Sequence, residues 1–185
     1  MLKKVVVIGP ESTGKSTLTE ELANHFSCPW VPEFAREYIE QLNRPYVYDD
    51  LLKIAKGQIQ LEDIKSKQSQ NLLICDTDLH VVQVWSSHKF GKVHDWVAEQ
   101  TSHRKYDLYL LTNIDIPWQE DPQREHPDPE MRKYFFKLYK NLLFSKGLPF
   151  EVISGSPTER LQKGIVSIQR KLFPRGNFPS NHKTC

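Results

Sequence analysis

The sequence predicts a three-layer α/β domain, with about five parallel strands between helices and a small lid. Three observations predict it. Short, two-sided apolar runs recur along the chain, as buried parallel strands require. Between them lie longer stretches whose apolar residues return every three to four positions, as on one helix face. No internal repeat or low-complexity linker divides the 185 residues, so one domain accounts for them.

Taken in order, Lys4-Val5-Val6-Val7-Ile8 is the first strand and runs into a glycine-bearing loop. Leu18, Leu22 and Phe26 give the following helix its apolar face. Cys28 to Val31 forms a second strand ending at Glu33, and Phe34, Tyr38 and Leu42 mark the helix after it. A long helix is predicted over 49–70, capped by Asp49 or Asp50, with Leu51, Ile54, Gln58 and Leu61 turned inward. Leu72-Leu73-Ile74-Cys75 is the third strand, leading to Asp76-Thr77-Asp78. Val81, Val82 and Trp85 belong to one short helix, and Val93, Trp96 and Val97 to another. Leu108-Tyr109-Leu110-Leu111 is the fourth strand. The charged, proline-bearing stretch at about 119–130 is the predicted lid. Met131, Tyr134, Phe135, Leu138 and Leu142 then define a helix that stops near Gly147. Phe150-Glu151-Val152-Ile153 is the last strand. Ser156-Pro157-Thr158-Glu159 reads as a capping box with proline at the first helical position. The domain thus spans 1–173, and residues 174–185 are expected to form a loosely ordered tail.

A chain of this length buries roughly 70% of its unfolded surface, enough for a real core. Its 38% hydrophobic and 26% charged residues are ordinary for a soluble protein. A net charge of +2 does not call for nucleic acid or an anionic membrane as partner. Three scattered cysteines, Cys28, Cys75 and Cys185, argue against a disulfide framework or a structural zinc site. The first apolar run stops at Gly9, too short for a signal peptide, and no segment approaches the ~20 apolar residues of a membrane span. A cytoplasmic enzyme is the expectation; oligomeric state is not expressed in these features.

In parallel sheets ligands sit beyond the carboxyl ends of the strands, so the loops there carry the chemistry. Gly9-Pro10-Glu11-Ser12-Thr13-Gly14-Lys15-Ser16 fits the phosphate-binding pattern G-x-x-x-x-G-K-[ST], with a strand before it and a helix after it. Its backbone N–H groups and the helix N-terminus would hold a nucleoside triphosphate. Gly9, Glu11, Ser12, Thr13, Gly14, Lys15, Ser16 and Thr17 are therefore expected nucleotide residues. Lys15 would reach the β- and γ-phosphates. Ser16, with Asp76 after the third strand, would bind Mg²⁺. Asp78 could face substrate, or cap the helix beginning near His80. Glu33 could accept a substrate hydroxyl or its proton, and Arg36 could meet phosphate. Arg124 is the candidate lid arginine for the transferring phosphate. Trp118 could stack a flat substrate ring or simply anchor its loop. Ser156 and Pro157 could contact the nucleotide base, or form no more than a capped turn. Thr112-Asn113-Ile114-Asp115 is a strand end rather than a guanine reader, and the histidines lack metal-ligand spacing.

The ordered set Gly9 to Leu18, Glu33-Phe34-Ala35-Arg36-Glu37-Tyr38, Ile54-Ala55-Lys56-Gly57-Gln58, Cys75-Asp76-Thr77-Asp78 and Pro117-Trp118 resembles the P-loop kinase domain of NadR-type proteins, which phosphorylate ribosylnicotinamide. The resemblance covers about Val5 to Leu172. It implies ATP as donor, Mg²⁺ as cofactor and the 5′-hydroxyl of nicotinamide riboside, a small-molecule nucleoside, as acceptor. It also implies Lys15 and Ser16 on the nucleotide, Glu33 and Arg36 on the substrate, Asp76 and Asp78 as the acidic pair, and Arg124 in the lid. Two departures stand out. Where the family's lid reads Asp-Gly-x-Arg, this chain has Asp121-Pro122-Gln123-Arg124; where the family often places an aromatic residue before Glu33, it has Pro32. The resemblance includes no adenylyltransferase or DNA-binding segment, so this chain is not expected to complete the family's second reaction alone. The other readings are a regulatory ATPase or GTPase module without a small-molecule acceptor and, more weakly, a nucleic-acid kinase. The mild charge disfavours the last.

Overall fold

Val5, Val6, Val7 and Ile8 are completely buried because their strand lies at the centre of the sheet, covered on both faces. A computed structural model describes residues 1–174; apart from Pro174, the tail expected at 174–185 lies outside the described residues. The elements are β1 (Lys3–Ile8), α1 (Lys15–Phe26), β2 (Trp30–Val31), α2 (Phe34–Glu40), α3 (Tyr48–Gln68), β3 (Leu72–Asp76), α4 (Leu79–Phe90), α5 (Asp95–His103), β4 (Leu108–Thr112), α6 (Pro129–Ser145), β5 (Phe150–Ile153) and α7 (Pro157–Leu172). The five strands run parallel in the order β2-β3-β1-β4-β5. This is the three-layer α/β fold expected from the sequence.

Strand alternation divides the core between two faces. Val5, Val7, Ile74 and Leu110 pack against Leu18, Leu22 and Phe26 of α1 and Ile165 and Ile168 of α7. Val6, Ile8, Cys75 and Leu111 pack against Val84 of α4 and Phe135, Tyr139 and Leu143 of α6. A third cluster joins Ala35, Leu51, Ile54, Leu79, Val82 and Val97 of α2 to α5, extending the domain beside the sheet.

Three details differ from expectation. The second strand starts only at Trp30, since Pro29 has no N–H for the ladder. On α3 the buried position is Glu62, at 3% exposure, rather than Leu61, which is half-buried. The Glu62 carboxylate is satisfied by Lys4 Nζ at 2.8 Å and the Tyr106 hydroxyl at 2.7 Å, so its burial is compensated. Neither Asp49 nor Asp50 occupies the N-cap position of α3, which is Val47. Instead Asp50 reaches back from the first turn to accept the Val47 N–H at 2.9 Å.

Asp50 also takes two bonds from the Arg44 guanidinium, at 2.6 and 2.9 Å, and one from the Tyr38 hydroxyl at 2.8 Å. Arg44 above all holds this carboxyl well below the usual carboxylate range. A depressed carboxyl stabilises the fold above its unfolded pKa, about 4, and the benefit disappears as pH falls. Asp50→Asn should therefore lower the thermal midpoint at pH 7 and narrow that gap steadily from pH 5 to pH 3. A constant gap across this range, in melts followed by circular dichroism, would contradict the assignment.

The chain leaves β1 toward β2 on one side and leaves β4 toward β5 on the other. The crevice between β1 and β4 at their carboxyl ends is thus a topological switch point, where parallel sheets bind ligands. The loop after β1 and the segment 113–128 before α6 both open there.

Candidate active site

Gly14 forms the last corner of the loop after β1, with φ of +72°, as the left-handed N-cap of α1. A side chain there would strain the turn that aims the α1 N-terminus at the crevice. The loop is braced from beneath. Thr13 Oγ1 donates to the Pro10 carbonyl at 2.8 Å and pairs with Thr112 Oγ1 at 2.7 Å. Arg160 of α7 donates to Thr13 O, Asn113 O and Gly155 O, each at 2.9 Å. Arg132 of α6 donates to Ser12 O and Ile116 O, both at 3.1 Å. Lys15 Nζ rests on the Pro10 carbonyl at 2.8 Å, within the loop whose phosphate it would neutralise.

Ser16 Oγ donates to Asp76 Oδ2 at 2.5 Å. Asp76 is 1% exposed, and its Oδ1 has no hydrogen-bond partner among the described residues. Burial, then the Glu33 charge, push this carboxyl up to about 7, against the pull of Lys15 and Ser16. A buried carboxylate with an orphaned oxygen beside a hydroxyl is a donor set that suits Mg²⁺. These residues fit the ion.

Glu33 is the N-cap residue of α2, and its side chain makes no cap bond, leaving it free toward the cavity it lines. Its position is set by Gln58 of α3. The Gln58 amide accepts the Phe34 N–H at 2.8 Å and donates to the Pro32 carbonyl at 3.2 Å, gripping the chain on both sides of Glu33. Gly57 leaves room for this approach: a methyl group there would lie 2.1 Å from the Phe34 ring. The Gly57-Gln58 pair of the sequence motif is therefore a seat for the Glu33 turn.

The lid lies against the loop. Glu11 Oε2 accepts the backbone N–H groups of Glu125 and His126, each at 3.0 Å, and Ser12 Oγ accepts that of Gln119 at 2.8 Å. Arg36 pairs with Asp121 at 2.7 Å. Arg124 bonds Ser12 Oγ at 3.4 Å and the Gln119 carbonyl. Pro122 is the second residue of a turn closed by Arg124 N–H to Asp121 O at 3.0 Å, a position that suits proline's fixed φ. The glycine of the related lid is thus not needed to make this turn.

A cavity of about 430 Å³ spans the assembly. The phosphate loop, Arg124, Arg132, Glu33, Arg36, Trp85, Phe135 and Tyr139 line it. Of the residues expected from sequence, Gly9, Glu11, Ser12, Thr13, Gly14, Lys15, Ser16, Thr17, Glu33, Arg36, Arg124 and Pro157 line this space. Four do not. Asp76 stands behind Ser16. Ser156 is engaged by Glu159 in the α7 capping box, at 2.7 and 2.8 Å. Asp78, 2% exposed, caps α4 by accepting the His80 N–H at 3.0 Å and meets His80 Nδ1 at 2.6 Å and the Tyr109 hydroxyl at 2.9 Å. These partners occupy both of its oxygens, as in the cap reading, and Asp78 is not among the cavity-lining residues. The guanidinium carbons of Arg124 and Arg132 lie 5.9 and 5.8 Å from the Trp118 ring centre, and Trp118 is not among the residues that line the cavity. The aromatic surface of the cavity comes instead from Trp85, Phe135 and Tyr139. Arg132 and Arg160 were also missed. Their signal was present in the sequence: each is an arginine on the apolar stripe of an amphipathic helix.

A phosphate loop ahead of α1, an acid at the end of β3 and an arginine-bearing segment beside one cavity define a nucleotide-binding domain of the P-loop class. Residues 4–160 match the AAA-domain family AAA_28, and the chain belongs to that family. It is 30% identical over 153 residues to the "Trifunctional NAD biosynthesis/regulator protein NadR" of Escherichia coli K12 and to its counterpart in Salmonella typhimurium LT2. These alignments take in 80% of this chain but 37% of each relative's length. Two NadR crystal structures, one in complex with NR and one with NAD and AMP-PNP, superpose with TM-scores of 0.77 and 0.76 at 25% identity. They cover 92% of this chain and 50% and 49% of theirs. Thymidylate kinase from Ehrlichia chaffeensis shares the fold at TM-score 0.66 and 13% identity, over 90% of this chain and 98% of its own.

Proposed function

We propose that this protein is an ATP-dependent kinase that phosphorylates the 5′-hydroxyl of a nucleoside, nicotinamide riboside, to the mononucleotide in NAD biosynthesis. The carrying observation is the single cavity joining the phosphate loop to Glu33 and Arg36. Its volume suits a small acceptor rather than a polymer. The similarity to NadR, seen with NR and with AMP-PNP, supports the choice of acceptor and donor.

In the reaction the acceptor oxygen forms a bond to the γ-phosphorus as the bond to the ADP oxygen breaks. The hydroxyl proton passes to the Glu33 carboxylate. Lys15 and Arg124 offset charge on the transferring group, while the loop N–H groups and the α1 terminus hold the phosphates. Ser16 and Asp76 would hold Mg²⁺, which supplies further charge neutralisation. Catalysis is mainly positioning and electrostatics. Among the described residues no helix is long and apolar enough to cross a membrane.

The test is ADP release from ATP across a nucleoside panel. Nicotinamide riboside should give the largest kcat/KM, with phosphate recovered on the acceptor. ATP hydrolysis that no nucleoside stimulates would instead identify a regulatory ATPase. Within this reading Gln58→Leu should raise the acceptor KM and lower kcat, together costing about tenfold or more in kcat/KM, with ATP affinity unchanged. Equal losses for both substrates would show that Gln58 does not act through Glu33.

A further inference from the structure

Tyr46 lies in the loop joining α2 to α3 and is not a cavity-lining residue, yet its hydroxyl joins that loop to the lid and to α4. It donates to Glu125 Oε1 of the lid at 2.7 Å. It accepts from the Trp85 indole N–H at 2.7 Å and from Lys89 Nζ at 2.5 Å, both on α4. A phenol has one proton and two lone pairs, so this hydroxyl is saturated. Lys89 closes the group by pairing with the same Glu125 oxygen at 2.7 Å while lying 3.9 Å from the Tyr46 ring centre. The Tyr46 ring also meets the Trp85 ring edge-on, with centres 4.7 Å apart.

Two of these partners reach toward the cavity and the phosphate loop. Trp85 lines the cavity. Glu125 sits beside Arg124, and its own N–H is held by Glu11 of the phosphate loop. Fixing the indole and the lid through one oxygen makes the position of each depend on the other.

We propose that Tyr46 is a positioning residue that sets acceptor selectivity: it orients Trp85 as the platform for a flat acceptor ring and latches the lid to that platform through Glu125. The inference rests on the kinase reading for its acceptor, while the latch itself is made by this chain's own residues. A ring that settles on Trp85 stabilises the closed lid, and an acceptor without a flat ring gains nothing from the latch.

Tyr46→Phe tests this, since it keeps the ring and removes only the hydroxyl. In the ligand-free protein, trypsin cleavage after Arg124, followed by intact mass, should accelerate several-fold. An unchanged rate would overturn the latch whatever the enzyme phosphorylates. In the kinase assay the KM for the nucleoside should rise about tenfold, as for one lost hydrogen-bond centre, while the KM for ATP stays within about twofold. Glu125→Gln should raise acceptor KM in the same way, and the double variant should be no worse than the poorer single one. Additive losses would show two independent contacts and overturn the coupling. Trp85→Phe, which retains a ring but no N–H, should make Tyr46→Phe nearly silent on acceptor KM; a full effect in that background would remove Trp85 from the proposal. Absence of nucleoside phosphorylation by the wild type would count against the kinase reading, and the proteolysis result would still decide the latch.

Discussion

Asp76→Asn is expected to lower kcat by more than about 10²-fold and, at pH 8, to stabilise the ligand-free protein. Both effects follow from one placement. The carboxylate is buried, its Oδ1 is unpartnered, and burial with the Glu33 charge lifts its pKa to about 7. A carboxyl raised in this way destabilises the fold as pH climbs from its unfolded value, about 4, and the full penalty is present once pH exceeds the folded value. Asparagine removes the charge and still accepts the Ser16 hydroxyl. Its own unpaired N–H offsets part of the gain, leaving on the order of 1 kcal/mol. Urea titrations of both proteins at pH 5 and pH 8, with and without Mg²⁺, measure it. The asparagine form should be the more stable at pH 8, the margin should shrink at pH 5, and Mg²⁺ should stabilise the wild type alone. A variant less stable than wild type at pH 8 would show that the carboxylate is satisfied in a way its geometry does not indicate. A cost in stability at a site kept for function is a familiar trade.

Lys15→Met is the second large effect, and it separates chemistry from fold. The Lys15 ammonium rests on the Pro10 carbonyl, and its charge would otherwise face the phosphates alone in the loop. Methionine preserves the aliphatic stem and removes the charge. Since the bond lost is a partly exposed one to a carbonyl, stability should change by less than about 1 kcal/mol. Removing one group aimed at developing transition-state charge should lower kcat by about 10²–10³-fold. Single-turnover phosphate transfer, with melting curves on the same samples, gives both numbers. A loss of activity matched by a loss of folded protein would return Lys15 to a structural role.

The donor half of the site was legible in the chain because it is local. Gly9 to Ser16 are contiguous, and strand, glycine turn and helix are set by neighbouring residues. The five strands were readable for the same reason: apolar runs such as Val5 to Ile8 are covered on both faces, so periodicity alone marks them. The Ser156 box and the Gly147 stop are likewise one-turn features.

What the sequence could not rank were residues whose meaning depends on partners far along the chain. Asp76 and Asp78 are two positions apart and chemically identical. Only the packing of Tyr109 from β4 and His80 from α4 turns Asp78 into a buried cap, while Ser16 draws Asp76 to the phosphate loop. Trp118 was the candidate ring platform, and it lies beside Arg124 and Arg132 instead of lining the cavity; Trp85, read from sequence only as a helix residue, lines it. Gln58 became informative once α3 placed its amide around Glu33. The sequence by itself determined the layered parallel sheet, the phosphate loop and the existence of a lid, because those follow from short-range periodicity and turn chemistry. The tertiary structure alone decided which acid stands beside the phosphate loop, which tryptophan lines the cavity and which arginines brace the loop. Long-range packing settles whether a polar side chain has its bonding capacity filled elsewhere or left open to a ligand.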